Sequence, residues 1–158
     1  QFMISNLYGG HEIEDREISK GTGINFFLSR ATAGETLTVY EPGTQCRNFV
    51  HVKDVARAYL RSAERLVEQL EAGETGVEKY EIASDEDPGV EEVAELVQSV
   101  AADHGHELDV ELVEIPRAGG ETLVSEFPVD TTAAQERLGW ERQYDVESVV
   151  REHFESGE

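Results

Sequence analysis

Short apolar segments with strand spacing alternate along this chain with longer segments of helical spacing, and this alternation limits the folds that the chain can adopt. The spacing predicts β-strands at residues 2–5, 37–40, 47–52, 80–83 and 109–115. Helical spacing follows residues 23, 54, 89, 130 and 145. Strands that alternate with helices build a layered α/β fold. The 158 residues suffice for one compact domain and are too few for two, so we expect a single unit over residues 1–158.

Polar residues and glycines mark where the predicted elements begin and end. Residues 6–23 are rich in glycine and charge, which predicts a loop. Asp54 and Asp130 are predicted N-caps, and Asp145 is predicted to start the last helix. Glycines follow three of the predicted helices and are expected to end them, at Gly34, Gly73 and Gly139.

The chain is strongly acidic, with 34 Asp and Glu residues against 13 Lys and Arg residues and a net charge of -21. Such a field repels nucleic-acid phosphates and anionic membrane surfaces, so we expect neither nucleic acid nor membrane as a partner. Only three of the basic residues are lysines, whereas 26 of the acidic ones are glutamates. This bias predicts a halophilic protein, because high salt screens the self-repulsion of an acidic surface.

The sequence also favours a cytoplasmic location. No apolar run approaches the roughly 18 residues that cross a bilayer, and the first residues lack a basic stretch followed by an apolar one. The single cysteine, Cys46, cannot form an internal disulfide, which fits a reducing compartment.

Several short motifs resemble functional sites but are incomplete. Gly21 and Gly23 do not follow a strand directly, and the third glycine of a dinucleotide-binding fingerprint is absent. His104 and His106 have no third ligand nearby, and a polar turn explains them better than a metal site. Cys46 could have a lowered pKa beside an arginine, but no His–Asp pair accompanies it, so we interpret it as a passive side chain. We therefore expect no metal site.

Arg47 lies between a glycine-containing loop and an apolar strand. A guanidinium in such a place can bind two phosphate oxygens with its planar fork. From the residue alone, an ion pair with one of the many surface carboxylates is the simpler explanation. The surrounding sequence decides between the two hypotheses.

Five segments resemble, in order, the extended short-chain dehydrogenase/reductase family, the NAD-dependent nucleotide-sugar epimerases and dehydratases typified by UDP-glucose 4-epimerase. They are NLYG (6–9), GETLTVYEPGTQCRNFVHVKDVARA (34–58), KYEIAS (79–84), IPRAGG (115–120) and DTTAAQERLGW (130–140). The second segment is long and ordered, and the others are short. The resemblance spans nearly the whole chain and implies a carboxyl-terminal half: the substrate-binding lobe plus the last strands of a Rossmann-type parallel sheet.

The resemblance implies that the catalytic machinery lies elsewhere. The family's glycine-rich phosphate turn, its catalytic Ser or Thr and its Y-x-x-x-K motif would precede Gln1, so we expect no catalytic residue in this chain. The implied complete protein is an NAD-dependent epimerase or dehydratase and a homodimer. The alternatives are a reductase or decarboxylase of the same family, or a catalytically empty nucleotide-sugar-binding or scaffold protein. Without the preceding strands, we expect an exposed apolar surface on the strands that carry Phe2, Ile4, Tyr80 and Ile82.

By the same resemblance, part of the chain would bind the nucleotide sugar. Asn6 and Asn25 would donate hydrogen bonds near its diphosphate, and Arg47 and Arg117 would bind the phosphates. The base would lie against one predicted strand, at Leu37, Val39 and Tyr40.

Ile4 and Ser5 would approach the nicotinamide of NAD. The chain departs from the family pattern where Glu41-Pro42-Gly43 replaces G-D-G beside the base. It departs again at Asn48, which replaces the aspartate that could orient Arg47.

Overall fold

The computed structural model describes residues 1–13, 16–19, 21, 23–115 and 123–156. Its strands are β1 (Phe2–Ile4), β2 (Asn6–Tyr8), β3 (Gly10–Ile13), β4 (Arg16–Ser19), β5 (Leu37–Tyr40), β6 (Phe49–His51), β7 (Tyr80–Ile82) and β8 (Val110–Val113). Its helices are α1 (Ile24–Thr32), α2 (Val52–Glu71), α3 (Val90–Asp103), α4 (Thr132–Leu138) and α5 (Val146–Ser156). Among these described helices, none combines the length and the apolar content that crossing a bilayer requires.

The strands pair mostly in parallel, as the α/β prediction requires. β1 pairs with β7, β2 with β6 and β5 with β8, each in parallel, while β3 and β4 form an antiparallel hairpin. Each pair is a separate two-stranded sheet within the described part of the chain. Helices connect the parallel strands, because such strands need a long crossover between them.

The predicted loop over residues 6–23 is wrong, because β2, β3 and β4 lie in it. β2 pairs with β6 in the register Asn6↔Phe49 and Tyr8↔His51. The partner strand follows some forty residues later in the chain, so local glycine and charge content could not reveal the pairing.

Two predicted N-caps are each displaced from the observed one. α2 begins at Val52, and its N-cap is His51, whose Nδ1 accepts a hydrogen bond from the Lys53 N–H at 3.2 Å. Asp54 therefore lies inside the first turn and is fully buried. The predicted strand over residues 47–52 ends at His51 for the same reason.

At α4 the N-cap is Thr131 rather than Asp130, although the Asp130 carboxylate accepts a hydrogen bond from the Thr132 N–H at 2.9 Å. Asp145 is confirmed as the residue that starts α5. Its carboxylate accepts hydrogen bonds from the backbone N–H and the hydroxyl of Ser148, both at 2.7 Å. The three predicted helix-ending glycines have positive φ angles, of 68° at Gly34, 71° at Gly73 and 58° at Gly139.

The buried apolar side chains form two clusters. The first joins α1, β5, α3 and α5, and it includes Phe27, Val39, Phe49 and Val93. The second joins α2, β7 and α4 around Trp140, which is 2% exposed.

The apolar spacing that predicted α2 lies mostly on its solvent side. Five of its large apolar residues are between 54% and 66% exposed, and we call them the α2 stripe: Tyr59, Leu60, Leu66, Val67 and Leu70. The buried face of α2 instead carries Asp54, Val55 and Ala58.

The expected exposure of the β1 and β7 strands is observed on β1 alone. Ile4 is exposed, as is its neighbour Met3, whereas Phe2 is half-buried against the second cluster and Tyr80 and Ile82 are buried in it. The prediction for Tyr80 and Ile82 is wrong, because α2 and α4 cover them.

Candidate nucleotide site

A cleft with a volume of about 260 Å³ opens between α1, β5, β6 and the start of α3, and we call it the α1–α3 cleft. Its wall is largely apolar, because Phe27, Val39, Phe49 and Val93 of the first cluster line it. Tyr40, which is 47% exposed, also lines the cleft. An apolar wall of this kind suits the face of an aromatic ring.

The described lining of the cleft has a positive charge, opposite in sign to the net charge of the chain. The polar residues of this lining are Asn6, Thr38, Gln45 and Arg47. Among the described residues that line the cleft, Arg47 carries the one charge and none is a carboxylate. In a chain with a net charge of -21, the cleft is therefore a local exception that favours an anion.

Hydrogen bonds hold both the backbone and the side chain of Arg47. Its N–H donates to the Pro88 carbonyl at 3.1 Å, and its Nη1 donates to the Cys46 carbonyl at 2.8 Å. Next to it, the Gln45 amide donates to the Tyr40 carbonyl at 3.2 Å, which joins the loop to the end of β5. The guanidinium is thus held at the lining of the cleft and half-buried.

The first turn of α1 begins at the same cleft. Its N-cap, Gly23, lines the cleft and has a φ of 58°. The first turn contains no acidic residue, so the partial positive charge of the helix N-terminus is not offset there. This end of the cleft adds to the attraction for an anion.

The structure brings four of the predicted substrate-binding residues together around the cleft: Asn6, Val39, Tyr40 and Arg47. Leu37 lies on the same strand as Val39 but is fully buried. Asn25 uses its side-chain amide to hold Gly9, accepting from its N–H at 2.8 Å and donating to its carbonyl at 2.9 Å.

The remaining predicted residues lie away from the cleft lining or outside the description. Arg117 lies outside the described residues. Ile4 is 37% exposed at the end of β1, and the Ser5 N–H donates to the Ile82 carbonyl at 3.1 Å. Their proposed contact with the nicotinamide stays a prediction.

Much of the apolar lining is not among the residues that the sequence predicts. Phe26 and Phe27 of α1, Phe49 of β6 and Val93 of α3 all line the cleft. The adjacent phenylalanines at the start of a nine-residue helix were the signal, because a helix that is buried on one side needs only one of the two for its core. The other, Phe26, is 37% exposed.

Three residues for which the sequence predicts no functional role, Cys46, His104 and His106, lie in ordinary surroundings. Burial, with the nearby Asp87 carboxylate, raises the pKa of the Cys46 thiol and outweighs the neighbouring Arg47, so this thiol is not activated. His104 and His106 both contact the ring of Phe154, with ring centroids 6.0 and 5.8 Å away.

His51 is a buried histidine beside β2. Its ring stacks on Tyr144 with centroids 4.3 Å apart and meets Tyr8 edge-on at 5.1 Å. Burial disfavours the charged imidazolium and lowers the pKa of His51 to about 4. Gly9 packs so close that a Cβ there would stand 2.0 Å from the ring.

The buried Asp54 joins the first turn of α2 to the segment that precedes α5. Its carboxylate pairs with Arg57 at 2.7 Å and accepts the backbone N–H groups of Gln143 at 3.1 Å and Tyr144 at 3.2 Å. The indole N–H of Trp140 donates to the Asp54 carbonyl at 2.9 Å. Five polar contacts therefore converge on one end of α2 when the Nδ1 contact of His51 is included.

Comparison with known proteins finds a matching family model and several similar proteins. The family model described as "NAD dependent epimerase/dehydratase family" matches residues 1–82. UDP-glucuronic acid decarboxylase 5 of Arabidopsis thaliana is 30% identical over 142 residues, which cover 87% of this chain and 35% of that protein. UDP-glucose 4-epimerase of Caenorhabditis elegans is 25% identical over 131 residues, covering 78% of this chain and 35% of that protein.

A solved structure shares the fold. The crystal structure of UDP-glucose 4-epimerase with UDP-glucose from Thermotoga maritima superposes with a TM-score of 0.69 at 25% identity, over 98% of this chain and 44% of that one. The chain thus spans about a third of the length of the curated relatives that it matches.

Proposed function

This chain belongs to the NAD-dependent epimerase/dehydratase family, and we propose that it is the nucleotide-sugar-binding portion of such an enzyme. The observation that carries the proposal is the α1–α3 cleft, whose described lining is largely apolar and has no charged side chain other than Arg47. A nucleoside diphosphate offers a flat base for the apolar wall and a dianion for the guanidinium, so both features of the cleft are used.

In this arrangement the base lies against β5, at Val39 and Tyr40, and the diphosphate lies at Arg47 and Asn6. Arg47 and the base wall lie on the same cleft, which is what a ligand with a base at one end and phosphates next to it requires. The N-terminus of α1 adds attraction for the phosphates. Arg117 is proposed as a second phosphate contact.

We propose a nucleotide sugar as the class of substrate. Relatives with this degree of similarity include both a decarboxylase and a 4-epimerase. Neither alternative, a reductase or decarboxylase of the family or a catalytically empty binding protein, is favoured by a specific contact.

We propose NAD as the cofactor of the complete enzyme, in which it would accept and return a hydride. Ile4 fits this role, since it presents an exposed apolar side chain at the carboxyl end of a parallel strand, where open α/β sheets bind nucleotides. The chain contains no Y-x-x-x-K motif, so we expect it to bind nucleotide sugar without converting it.

Three further properties are proposed for the complete enzyme. A cytoplasmic location is supported by the single cysteine. Adaptation to high salt is supported by the excess of carboxylates over lysines. A homodimer is supported by the exposed apolar side chains of the α2 stripe, which a monomer leaves in water.

Substitution of Arg47 tests the proposed function. Titration calorimetry with UDP and with uridine compares the wild-type chain with Arg47→Ala and Arg47→Lys. We expect Arg47→Ala to weaken UDP binding by about 1.5 to 3 kcal/mol, the range for hydrogen bonds to charged groups. Arg47→Lys should recover only part of the loss, because an ammonium cannot make two planar contacts.

Arg61→Ala is the matched control, because Arg61 is an exposed arginine of α2 paired with Glu64 at 3.1 Å, and it should leave both affinities unchanged. The surface ion-pair hypothesis for Arg47 predicts unaltered UDP affinity and a small, salt-sensitive loss of stability. If Arg47→Ala loses equal affinity for UDP and uridine, or loses affinity for neither, Arg47 does not bind the phosphates.

A further inference from the structure

We propose that Asn48 is a positioning residue for the phosphate end of the α1–α3 cleft, because its side-chain amide fastens the start of β6 to the loop that follows β7. This proposal rests on the function proposed above. Asn48 is 1% exposed, so its polar atoms have to be satisfied within the protein.

The amide makes three hydrogen bonds to one loop. Its Nδ2 donates to the carbonyls of Ser84 at 2.8 Å and Glu86 at 3.2 Å, and its Oδ1 accepts the Ser84 N–H at 3.1 Å. An amide offers two donors and an acceptor in one plane, and the loop uses all three. The side chain is thus directed into the loop.

The loop is itself rigid enough to serve as an anchor. The Ser84 hydroxyl donates to the Glu86 carbonyl at 2.8 Å and accepts the Glu86 N–H at 3.2 Å. Arg142 pairs with Asp85 at 2.7 Å and with Glu86 at 3.0 Å. The loop that holds Asn48 is therefore fixed from within and from the segment before α5.

Through its backbone, Asn48 fixes the two residues that we place at the phosphates. Its carbonyl accepts both the N–H of Asn6 at 3.2 Å and the Nδ2 of Asn6 at 3.0 Å. Arg47 precedes it directly, and the Arg47 N–H is bonded to Pro88, four residues beyond Ser84 in the same connection. A shift of Asn48 would displace Asn6 and Arg47 together.

A carboxylate cannot replace the amide in these surroundings. It would place a charged oxygen, which has no hydrogen to donate, against the carbonyls of Ser84 and Glu86. The resulting repulsion would separate the loop from β6. The asparagine at this position is therefore matched to a loop that presents two carbonyls.

The test compares the 158-residue chain with its Asn48→Asp and Asn48→Ala variants, with UDP and uridine as probes at one fixed salt concentration. Titration calorimetry gives the dissociation constant of UDP, and ligand-observed NMR gives that of the weaker uridine. We expect the UDP constant to rise about tenfold for Asn48→Asp and about threefold for Asn48→Ala, while the uridine constant changes less than about twofold. Partial unfolding would raise both constants by the same factor, so their ratio reports positioning.

Gln98→Glu is the matched control. Gln98 donates its amide to the Leu108 carbonyl at 2.7 Å, so the same loss of a donor and gain of charge occur away from the cleft. This variant should leave the ratio of the two constants unchanged.

The outcomes separate the positioning role from the proposed function. Wild-type chain that fails to bind UDP refutes the proposed function, and the positioning role with it. If wild-type chain binds UDP, the positioning role alone is overturned by either of two results. One is an equal loss of affinity for UDP and uridine, and the other is no loss of affinity in either variant. If Asn48→Asp does not fold, Asn48→Ala decides by the same ratio. If neither folds, Asn48 is a determinant of folding and the positioning role is wrong.

Discussion

Acidification provides a quantitative test of the buried His51. The unfolded chain binds a proton at this side chain with the ordinary pKa near 6.5, whereas the folded chain binds it only at a pKa of about 4. The unfolded state therefore takes up the proton first as the pH falls. The contribution of the neutral His51 to stability is therefore fully present above pH 6.5. It declines between pH 6.5 and about 4 and is lost at lower pH.

The size of the loss follows from the difference in pKa. One pKa unit corresponds to about 1.4 kcal/mol, so a fall from 6.5 to about 4 amounts to about 3 kcal/mol. Burial is the main cause, and the nearby Lys53 adds to it, while the carboxylates of Asp54 and Glu152 act in the opposite direction. With a ring that is 3% exposed, solvent does not screen this cost appreciably.

Urea unfolding of wild-type chain and of His51→Asn, from neutral pH down to about pH 4, measures the effect. Asparagine keeps an acceptor for the Lys53 N–H at the helix N-cap but does not titrate. The variant should be less stable at neutral pH, because it loses the ring contacts with Tyr8 and Tyr144, but its stability should fall by about 3 kcal/mol less on acidification. Carboxylates titrate in both proteins, so their effect cancels in the difference. The same loss in wild-type and variant would refute the buried, neutral state of His51.

Two further predictions concern a tight contact and an exposed surface. Gly9→Ala should destabilise the fold by several kcal/mol more than Gly34→Ala in thermal or urea unfolding. Both glycines have positive φ, but only at Gly9 would the new Cβ strike the His51 ring. Equal losses of stability in the two variants would contradict the contact. The double variant Leu66→Gln and Leu70→Gln should bind less of an apolar dye and sediment as a smaller species than wild-type chain. Its free energy of unfolding should change by less than about 1 kcal/mol, because both side chains are exposed. Unchanged dye binding and sedimentation would argue against the α2 stripe as an association surface.

Elements whose signals are local could be predicted from the sequence. α1 lies between Gly23 and Gly34, both with positive φ, and its predicted extent differs from the observed one by a single residue. β5 has its predicted bounds, because its alternation of apolar and polar residues is undisturbed. Asp145 was identified as the start of α5, since an N-cap acts within three residues of itself.

Features that depend on distant partners could not be predicted. β2 is a strand because β6 pairs with it, and nothing within residues 6–8 indicates that partner. The same holds for α2: its spacing predicted a helix, but which side is buried depends on the tertiary contacts of Asp54, Val55 and Ala58.

In the candidate site, too, residues with local sequence signals could be predicted and residues that depend on distant partners could not. Arg47 could be chosen because a long motif surrounds it. The contribution of Val93 to the apolar lining could not, since α3 is distant from Arg47 in the chain and meets it only in the folded structure.

The contacts of Asp54 also determine when this fold can be completed during translation. The Tyr144 N–H that its carboxylate accepts lies 90 residues further along the chain. At about 5 to 20 residues per second, a ribosome needs roughly 5 to 20 seconds to synthesise that stretch. For this interval the nascent chain holds a carboxylate at the start of α2 that cannot be buried at its native site. Early α2 therefore remains hydrated on the ribosome, and its docking waits until the segment that contains Tyr144 has emerged.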